Sequence, residues 1–196
     1  MEKILKIIIR YISRYSNELT EEKKEIISYG LDLLITKISF LIIIAMISLL
    51  MDCFWQCILF TFFFSHIRTI SGGFHAKTRM GCFIISIILF IVSLWFIKVV
   101  NTFSIFYIPI LILSGINSLF ITLFAPIDTP NNRLDASEKR IIAKKARITL
   151  LIEIAISAVL FIIGLKSASF IILIAIIETG FLLQLELFNN AVCNRE

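Results

Sequence analysis

The chain has 196 residues, of which 59% are hydrophobic and 17% charged, and its formal net charge is +5. A soluble domain of this length could not bury so much apolar side chain, so the composition excludes an ordinary soluble protein and indicates a polytopic membrane protein. In a soluble chain a charge of +5 would suggest nucleic-acid binding. Here it is interpreted as a topology signal, and no nucleic-acid partner is expected.

The first 30 residues are predicted to lie at the cytoplasmic face of the membrane. Residues 2–16 alternate apolar side chains with lysine and arginine, a pattern typical of an amphipathic helix that lies on anionic lipid. Thr20 can cap a second helix, which begins with acidic residues and continues into the first membrane segment.

Apolar segments then predict an all-α fold, a polytopic helical bundle of about six transmembrane helices in a single integral membrane domain over residues 1–196. A bilayer is crossed by about 20 residues of helix, and the 53–67 segment is short by that measure. The segments lie at about residues 31–51, 53–67, 82–100, 103–125, 148–165 and 167–188.

The distribution of basic residues predicts the orientation of these helices. With the N-terminus inside, 16 of the 19 lysines and arginines fall in cytoplasmic segments, Lys98 and Lys166 fall outside, and Lys37 lies within the first span. This agrees with the positive-inside rule. Both termini and two loops, residues 68–81 and 126–147, are therefore expected in the cytoplasm. The cytoplasmic segments are residues 1–30, 68–81, 126–147 and 189–196.

The segment from Arg68 to Cys82, RTISGGFHAKTRMGC, contains the candidate active site. Cysteine with histidine can form a thiol nucleophile and its base, which must approach within about 2.6–3.2 Å. In one straight helix His75 and Cys82 would be about 10 Å apart along the axis, so a catalytic pair requires the chain to bend. The nearby glycines, Gly72 and Gly73, make such a bend possible.

Each member of this pair has a simpler interpretation. Cys82 begins a predicted span, where the helix N-terminus and nearby cations would stabilise a thiolate, but a small apolar residue could equally begin a span there. His75 could be a polar loop residue. The other histidine, His66, is interpreted as an interfacial residue at the end of the second span.

Two acidic residues fall within or near predicted spans, where a carboxylate is costly unless paired. Asp32 could orient the imidazole of His75, pair with Lys37 or Arg68, or simply lie at the interface. Glu178, deep in the last span, is expected to pair inside the bundle, with Lys37, Asn117 or a neighbouring subunit.

The remaining motifs restrict the chemistry. The chain has only two histidines, no H-E-x-x-H pattern, no zinc spacing among its four cysteines and no G-x-S-x-G elbow, so we expect no metal, no cofactor and no serine nucleophile. The basic part of the 126–147 loop includes Lys139, Arg140, Lys144 and Lys145. It is interpreted either as a solvated topology signal or as a docking surface for an acidic partner segment.

Together these features resemble the AgrB-like accessory gene regulator family of Gram-positive bacteria. The resemblance covers almost the whole chain. It depends on the SYGLDLL entry to the first span, the R-x4-G-x-H-x6-C core and the API-DTPN start of the basic loop.

The resemblance implies a plasma-membrane cysteine endopeptidase that removes the tail of an AgrD-like precursor and closes a thiolactone or lactone ring. It implies Cys82 as nucleophile, His75 as base and acid, Arg68 and Gly73 as residues that shape the site, and Asp32 at the acidic position of the first span. It also implies a homodimer in contact with membrane lipids. The alternative from the residues is a non-enzymatic transporter or export partner, with Asp32, Lys37 and Glu178 along a pathway.

Overall fold

The structure, a computed structural model, describes residues 21–74, 78–127 and 135–193. These residues contain six long helices and no strand, which confirms the all-α prediction. The N-terminal amphipathic helix predicted over residues 2–16 lies outside the described residues. The helices are α1 (Glu21–Leu50), α2 (Phe54–Ser71), α3 (Arg79–Thr102), α4 (Tyr107–Phe124), α5 (Ala136–Ile162) and α6 (Lys166–Cys193), with a 3-10 turn at Ser104–Phe106.

The chain divides into two units, Met1–Ile47 and Ser48–Glu196. In the described part of the first unit, α1 is a long apolar helix with most of its large side chains exposed, as expected for a surface in lipid. Asp32 lies in this unit, and its carbonyl oxygen accepts a 2.8 Å hydrogen bond from the Thr36 hydroxyl. The second unit contains the other five helices of the described chain.

Four described helices are long and apolar enough to cross a membrane. They cover Glu25–Leu50, Met80–Thr102, Tyr107–Phe124 and Lys166–Ala191. The predicted spans 53–67 and 148–165 correspond to α2 and α5, which are long helices but carry more polar residues. His66 and Arg68 lie near the end of α2, and Glu153 lies in the buried face of α5.

Helix α6 forms the centre of the second unit and packs against α2, α3, α4 and α5. Most of its membrane segment is buried, whereas α3 and α4 leave most of theirs exposed. A helix that is apolar on all sides is expected in this central position, because every face contacts protein. Side chains from Phe170 to Ile176, with Leu182 and Leu183, make up its buried core.

The two polar connections on the predicted cytoplasmic side are shorter than the sequence suggested. Arg68 still belongs to α2, so the connection between α2 and α3 contains only residues 72–78. In the second connection α5 begins at Ala136. There the main-chain N–H of Asp135 donates a 3.2 Å hydrogen bond to the Glu138 carboxylate. Most of the expected 126–147 loop is therefore helix.

Candidate active site

The chain turns sharply at the end of α2 through two glycines. Gly72 has φ +78° and Gly73 has φ +145°, both in the region that side chains other than glycine rarely adopt. The Gly72 N–H donates a 3.0 Å hydrogen bond to the Arg68 carbonyl oxygen, which closes the last turn of α2. A Cβ on Gly73 would lie 3.5 Å from the Leu182 Cβ, so the turn lies directly against α6.

Phe74, the residue that follows this turn, is held from both sides. Its N–H donates to the Leu182 carbonyl oxygen at 3.1 Å. Its own carbonyl oxygen accepts from Arg68 Nη2, also at 3.1 Å. The main chain of Phe74, the residue before His75, is therefore hydrogen-bonded to both α6 and α2.

Cys82 lies in the first turn of α3. Thr78 is extended and its Oγ1 accepts a 3.1 Å hydrogen bond from the Gly81 N–H, which caps the helix. The Cys82 N–H donates to the Thr78 carbonyl oxygen at 3.0 Å. Because Thr78 is extended and α3 begins at Arg79, Thr78 does not belong to the helix that contains Cys82. The half-buried thiol lies where the helix dipole favours negative charge.

The side chains of these segments meet around a small cavity. Its volume is about 10 Å³, which is roughly the room that one water molecule needs. Polar groups from the end of α2 and the start of α3 therefore share one small, partly open cavity with Leu182 of α6. The lining residues are Arg68, Phe74, Cys82, Ile85, Ser86, Leu89 and Leu182.

Arg68 is the cation of this site. Its guanidinium lies 5.5 Å from the centre of the Phe64 ring, in a cation–π contact. Burial lowers the pKa of the Arg68 guanidinium, and a negative charge on Cys82 or Glu178 would act in the opposite direction.

The remaining predicted site residues have different positions. His75 lies outside the described residues, so its pairing with Cys82 stays a prediction. Asp32 belongs to the first unit and is half-exposed.

The predicted docking cations all project to solvent from the first turns of α5. Just beyond them, Arg147 Nε donates a 3.2 Å hydrogen bond to the Thr122 carbonyl oxygen at the end of α4. The exposed cations are Lys139, Arg140, Lys144 and Lys145.

The sequence did not reveal the partners of Glu178 and Glu153, two of the three buried carboxylates of the described residues. Glu178 accepts a 2.6 Å hydrogen bond from Ser93 Oγ. Glu178 was expected to pair inside the bundle, and Ser93 is its partner. Asn117 is not, because its Nδ2 donates to the Leu113 carbonyl oxygen at 2.8 Å and its Oδ1 accepts from Gln184 Nε2 at 3.1 Å.

His66 was interpreted as a simple interfacial residue, but it has a partner. Its Nδ1 lies 3.4 Å from Glu153 Oε1, and its ring stacks on Phe62. Among the described residues, no three histidine, cysteine, aspartate or glutamate side chains are grouped so that they could hold a metal ion.

Comparison with known proteins gives one consistent result. The family described as Accessory gene regulator B matches residues 5–186. An AgrB-like protein of Clostridium perfringens strain SM101 (type A) is 31% identical over 157 residues, which cover 77% of this chain and 72% of the relative. AgrB-like protein 2 of Clostridium perfringens strain 13 (type A) is 30% identical with the same coverage. No solved structure matches the chain.

Proposed function

The chain belongs to the accessory gene regulator B (AgrB) family, and from this premise we propose that it is a membrane cysteine endopeptidase that processes a quorum-sensing precursor peptide. Family membership gives the chain a role in the agr quorum-sensing system, and its four apolar helices make it a membrane protein. In this proposal Cys82 is the nucleophile, His75 is its base and acid, and the Cys82 site lies at the cytoplasmic face of the plasma membrane.

The proposed reaction has two steps. In the first, His75 takes the proton of the Cys82 thiol, and the sulfur attacks the carbonyl carbon of the scissile amide. The C–N bond breaks, His75 returns the proton to the leaving amine, and the C-terminal tail departs. In the second, a thiol or hydroxyl within the peptide attacks the thioester, the ring closes, and the Cys82 sulfur recovers a proton.

The observation that carries the proposal is the cavity that Cys82 shares with Arg68 and Phe74. The thiol is at a helix N-terminus, on the cavity that Arg68 also lines, and two hydrogen bonds hold the main chain of Phe74, the residue before His75, at the same place. These are the conditions that favour a thiolate. Exclusion of water from the acyl-enzyme by bound peptide would favour ring closure over hydrolysis.

The exposed cations of α5 suggest how the substrate is held. Lys139, Arg140, Lys144 and Lys145 project from one helical segment that follows the 126–135 connection. An acidic precursor tail would be attracted to this segment through charge complementarity. We assign these four residues to tail docking and not to chemistry.

The experiment that tests the proposal uses the purified protein in lipid vesicles with an AgrD-like precursor peptide. The mass of the intact protein is measured during turnover. We expect an added mass equal to the truncated peptide, which hydroxylamine removes and Cys82→Ala abolishes. His75→Gln should lose tail release, whereas the matched control His66→Gln should retain it.

Failure of this experiment has a definite meaning. If the precursor binds but neither an adduct nor a released tail forms, the endopeptidase assignment is wrong. A non-enzymatic role in peptide export would then be favoured, and substitution of the buried carboxylate Glu178 would abolish function while Cys82→Ser would not.

A further inference from the structure

Helix α6 buries two carboxylates that the proposed reaction does not use, Glu178 and Glu186, and Glu178 is the one bonded to Ser93. The Glu178 side chain is 8% exposed, and it comes one helical turn before Leu182, which lines the Cys82 cavity. Residues one turn apart on a helix share a face. Glu178 is therefore on the side of α6 that faces the candidate active site, one turn deeper in the bundle.

The bonding of this carboxylate is incomplete in the described structure. Oε2 accepts the 2.6 Å hydrogen bond from Ser93, whereas buried Oε1 has no hydrogen-bond partner among the described residues. A buried carboxylate with a free oxygen is unfavourable unless a positive charge compensates it. Arg68 lines the cavity that Leu182 completes, one turn from Glu178, and it is near enough for a charge interaction although no ion pair of 4 Å or less joins the two described side chains.

Arg68 in turn contacts the reacting region. It lines the cavity with Cys82, and its Nη2 donates to the carbonyl oxygen of Phe74, the residue before His75. A half-buried guanidinium on a helix end would ordinarily turn toward water, because its desolvation is costly. A negative charge on Glu178 would favour the inside position.

We infer that Glu178, held by Ser93, is a positioning residue for the Cys82 site: its carboxylate keeps Arg68 inside the bundle, beside the thiol and bonded to the Phe74 carbonyl. Glu178 touches neither the peptide nor the reacting atoms. Glu178 acts on the reaction through Arg68. Only the expected effect of Glu178 on turnover rests on the proposed function.

The test compares variants by the rate at which iodoacetamide alkylates Cys82 as a function of pH, read by mass spectrometry of the peptide that contains Cys82. Loss of Arg68 from the site removes a positive charge beside the thiolate. We therefore expect Glu178→Gln to slow alkylation at neutral pH about tenfold, equivalent to a rise of about one unit in the thiol pKa. Glu178→Asp, which retains the charge, should recover most of the rate.

A double-variant comparison separates positioning from a general packing defect. Arg68→Gln should slow alkylation as much as Glu178→Gln, and the double variant should be no slower than either one, because Glu178 acts through Arg68. Glu153→Gln is the matched control, a second buried carboxylate whose neighbour is His66. It should leave the profile unchanged. Ser93→Ala, which retains both charges, should give a smaller effect in the same direction.

Opposite results would overturn the inference. If Glu178→Gln leaves alkylation unchanged or accelerates it, the carboxylate acts only as a distant negative charge or as packing. Effects that multiply in the double variant would also exclude action through Arg68. If Glu178→Gln fails to fold, Glu178→Asp and Ser93→Ala decide the question.

Turnover gives a second and separate readout. With the precursor peptide, Glu178→Gln should lower kcat for tail release about tenfold and change KM by less than about twofold, because the docking cations are untouched. If the wild-type protein releases no tail while the alkylation results hold, the proposed function fails and the positioning role of Glu178 stands.

Discussion

Arg68 Nη2 donates a 3.1 Å hydrogen bond to the carbonyl oxygen of Phe74, and this bond ties the end of α2 to the residue before His75. The same guanidinium lies over the Phe64 ring and lines the cavity of Cys82. The Arg68 side chain, which belongs to α2, thus contacts both the Phe74 main chain and the cavity that Cys82 lines. Its planar fork of donors suits this arrangement better than an ammonium group would.

Arg68→Lys is therefore expected to lower the rate of tail release although it retains the charge. A hydrogen bond from a charged donor contributes about 1.5–3 kcal/mol, which corresponds to a loss of roughly 10- to 100-fold. The measurement is single-turnover release of the tail in vesicles. Arg147→Lys is the control, because Arg147 also donates to a carbonyl oxygen, that of Thr122, but at the end of α4.

If the two arginine variants slow the reaction equally, a general loss of stability is responsible, and the specific role of Arg68 would be rejected. Thermal unfolding of both variants, measured in the same detergent, makes this comparison quantitative.

Gly73→Ala is expected to impair both stability and tail release. At φ +145° an alanine is strained by about 1–3 kcal/mol, and relief of the strain would move the Phe74 carbonyl away from Arg68. The added Cβ itself would meet Leu182 at 3.5 Å, an ordinary contact, so the effect comes from the backbone.

The control for this substitution is Gly115→Ala on α4. Gly115 lies inside a helix with nothing within 4 Å of a new Cβ, so alanine should stabilise that helix by about 0.5–1 kcal/mol. Equal unfolding temperatures and equal activity for the two variants would show that the turn does not need glycine.

Gly180→Ala tests the packing of α6 against α4. A Cβ at this position would lie 2.7 Å from the Asn117 Cβ, too close for either backbone to tolerate without movement. We expect a loss of about 1–3 kcal/mol in stability, typical of an overpacked core. Asn117→Gly removes the obstructing atoms, so the double variant should recover part of the unfolding temperature lost in Gly180→Ala.

If Gly180→Ala is as stable as Gly115→Ala, the predicted close packing of α6 against α4 is wrong. The two helices would then have enough freedom to separate, and the hydrogen bond between Gln184 and Asn117 would not determine their distance.

The sequence predicted the helices better than their contacts. Long apolar segments depend only on local composition, and all six predicted segments correspond to helices in the described chain. The start of α5 was missed although Asp135 and Glu138 have the spacing of a capping box, because the cations after them favoured a loop. Helix ends are governed by a few hydrogen bonds that composition does not reveal.

Partners distant in sequence could not be predicted in the same way. Ser93 and Glu178 are 85 residues apart, and His66 and Glu153 are 87 apart, so only the packing of α3 and α2 against later helices brings each pair together. Arg68, Gly73 and Cys82 are close in sequence, so their grouping could be predicted. In the structure Arg68 and Cys82 line one cavity, and Gly73 lies in the turn that follows α2. Nothing local indicated that Leu182 would complete that cavity.

The exposed cations of α5 lead to the last prediction, which concerns substrate binding. Replacement of Lys139, Arg140, Lys144 and Lys145 by glutamine should raise KM about tenfold, since each exposed ion pair contributes only about 0.2–1 kcal/mol. The single-turnover rate at saturating peptide should stay the same, because none of the four lines the Cys82 cavity. Higher salt should raise the wild-type KM and have little effect on the variant.

The control replaces Lys98 and Lys166, which are predicted to lie on the opposite side of the membrane. Lys98 Nζ donates a 2.7 Å hydrogen bond to the Met51 carbonyl oxygen, and Lys166 contacts the Phe161 ring. Glutamine at these two positions should leave KM unchanged. A rise in KM from the control pair as large as that from the α5 variant would mean that total positive charge attracts the precursor. A fall in the saturating rate would instead place the α5 cations in the chemistry and contradict the docking role.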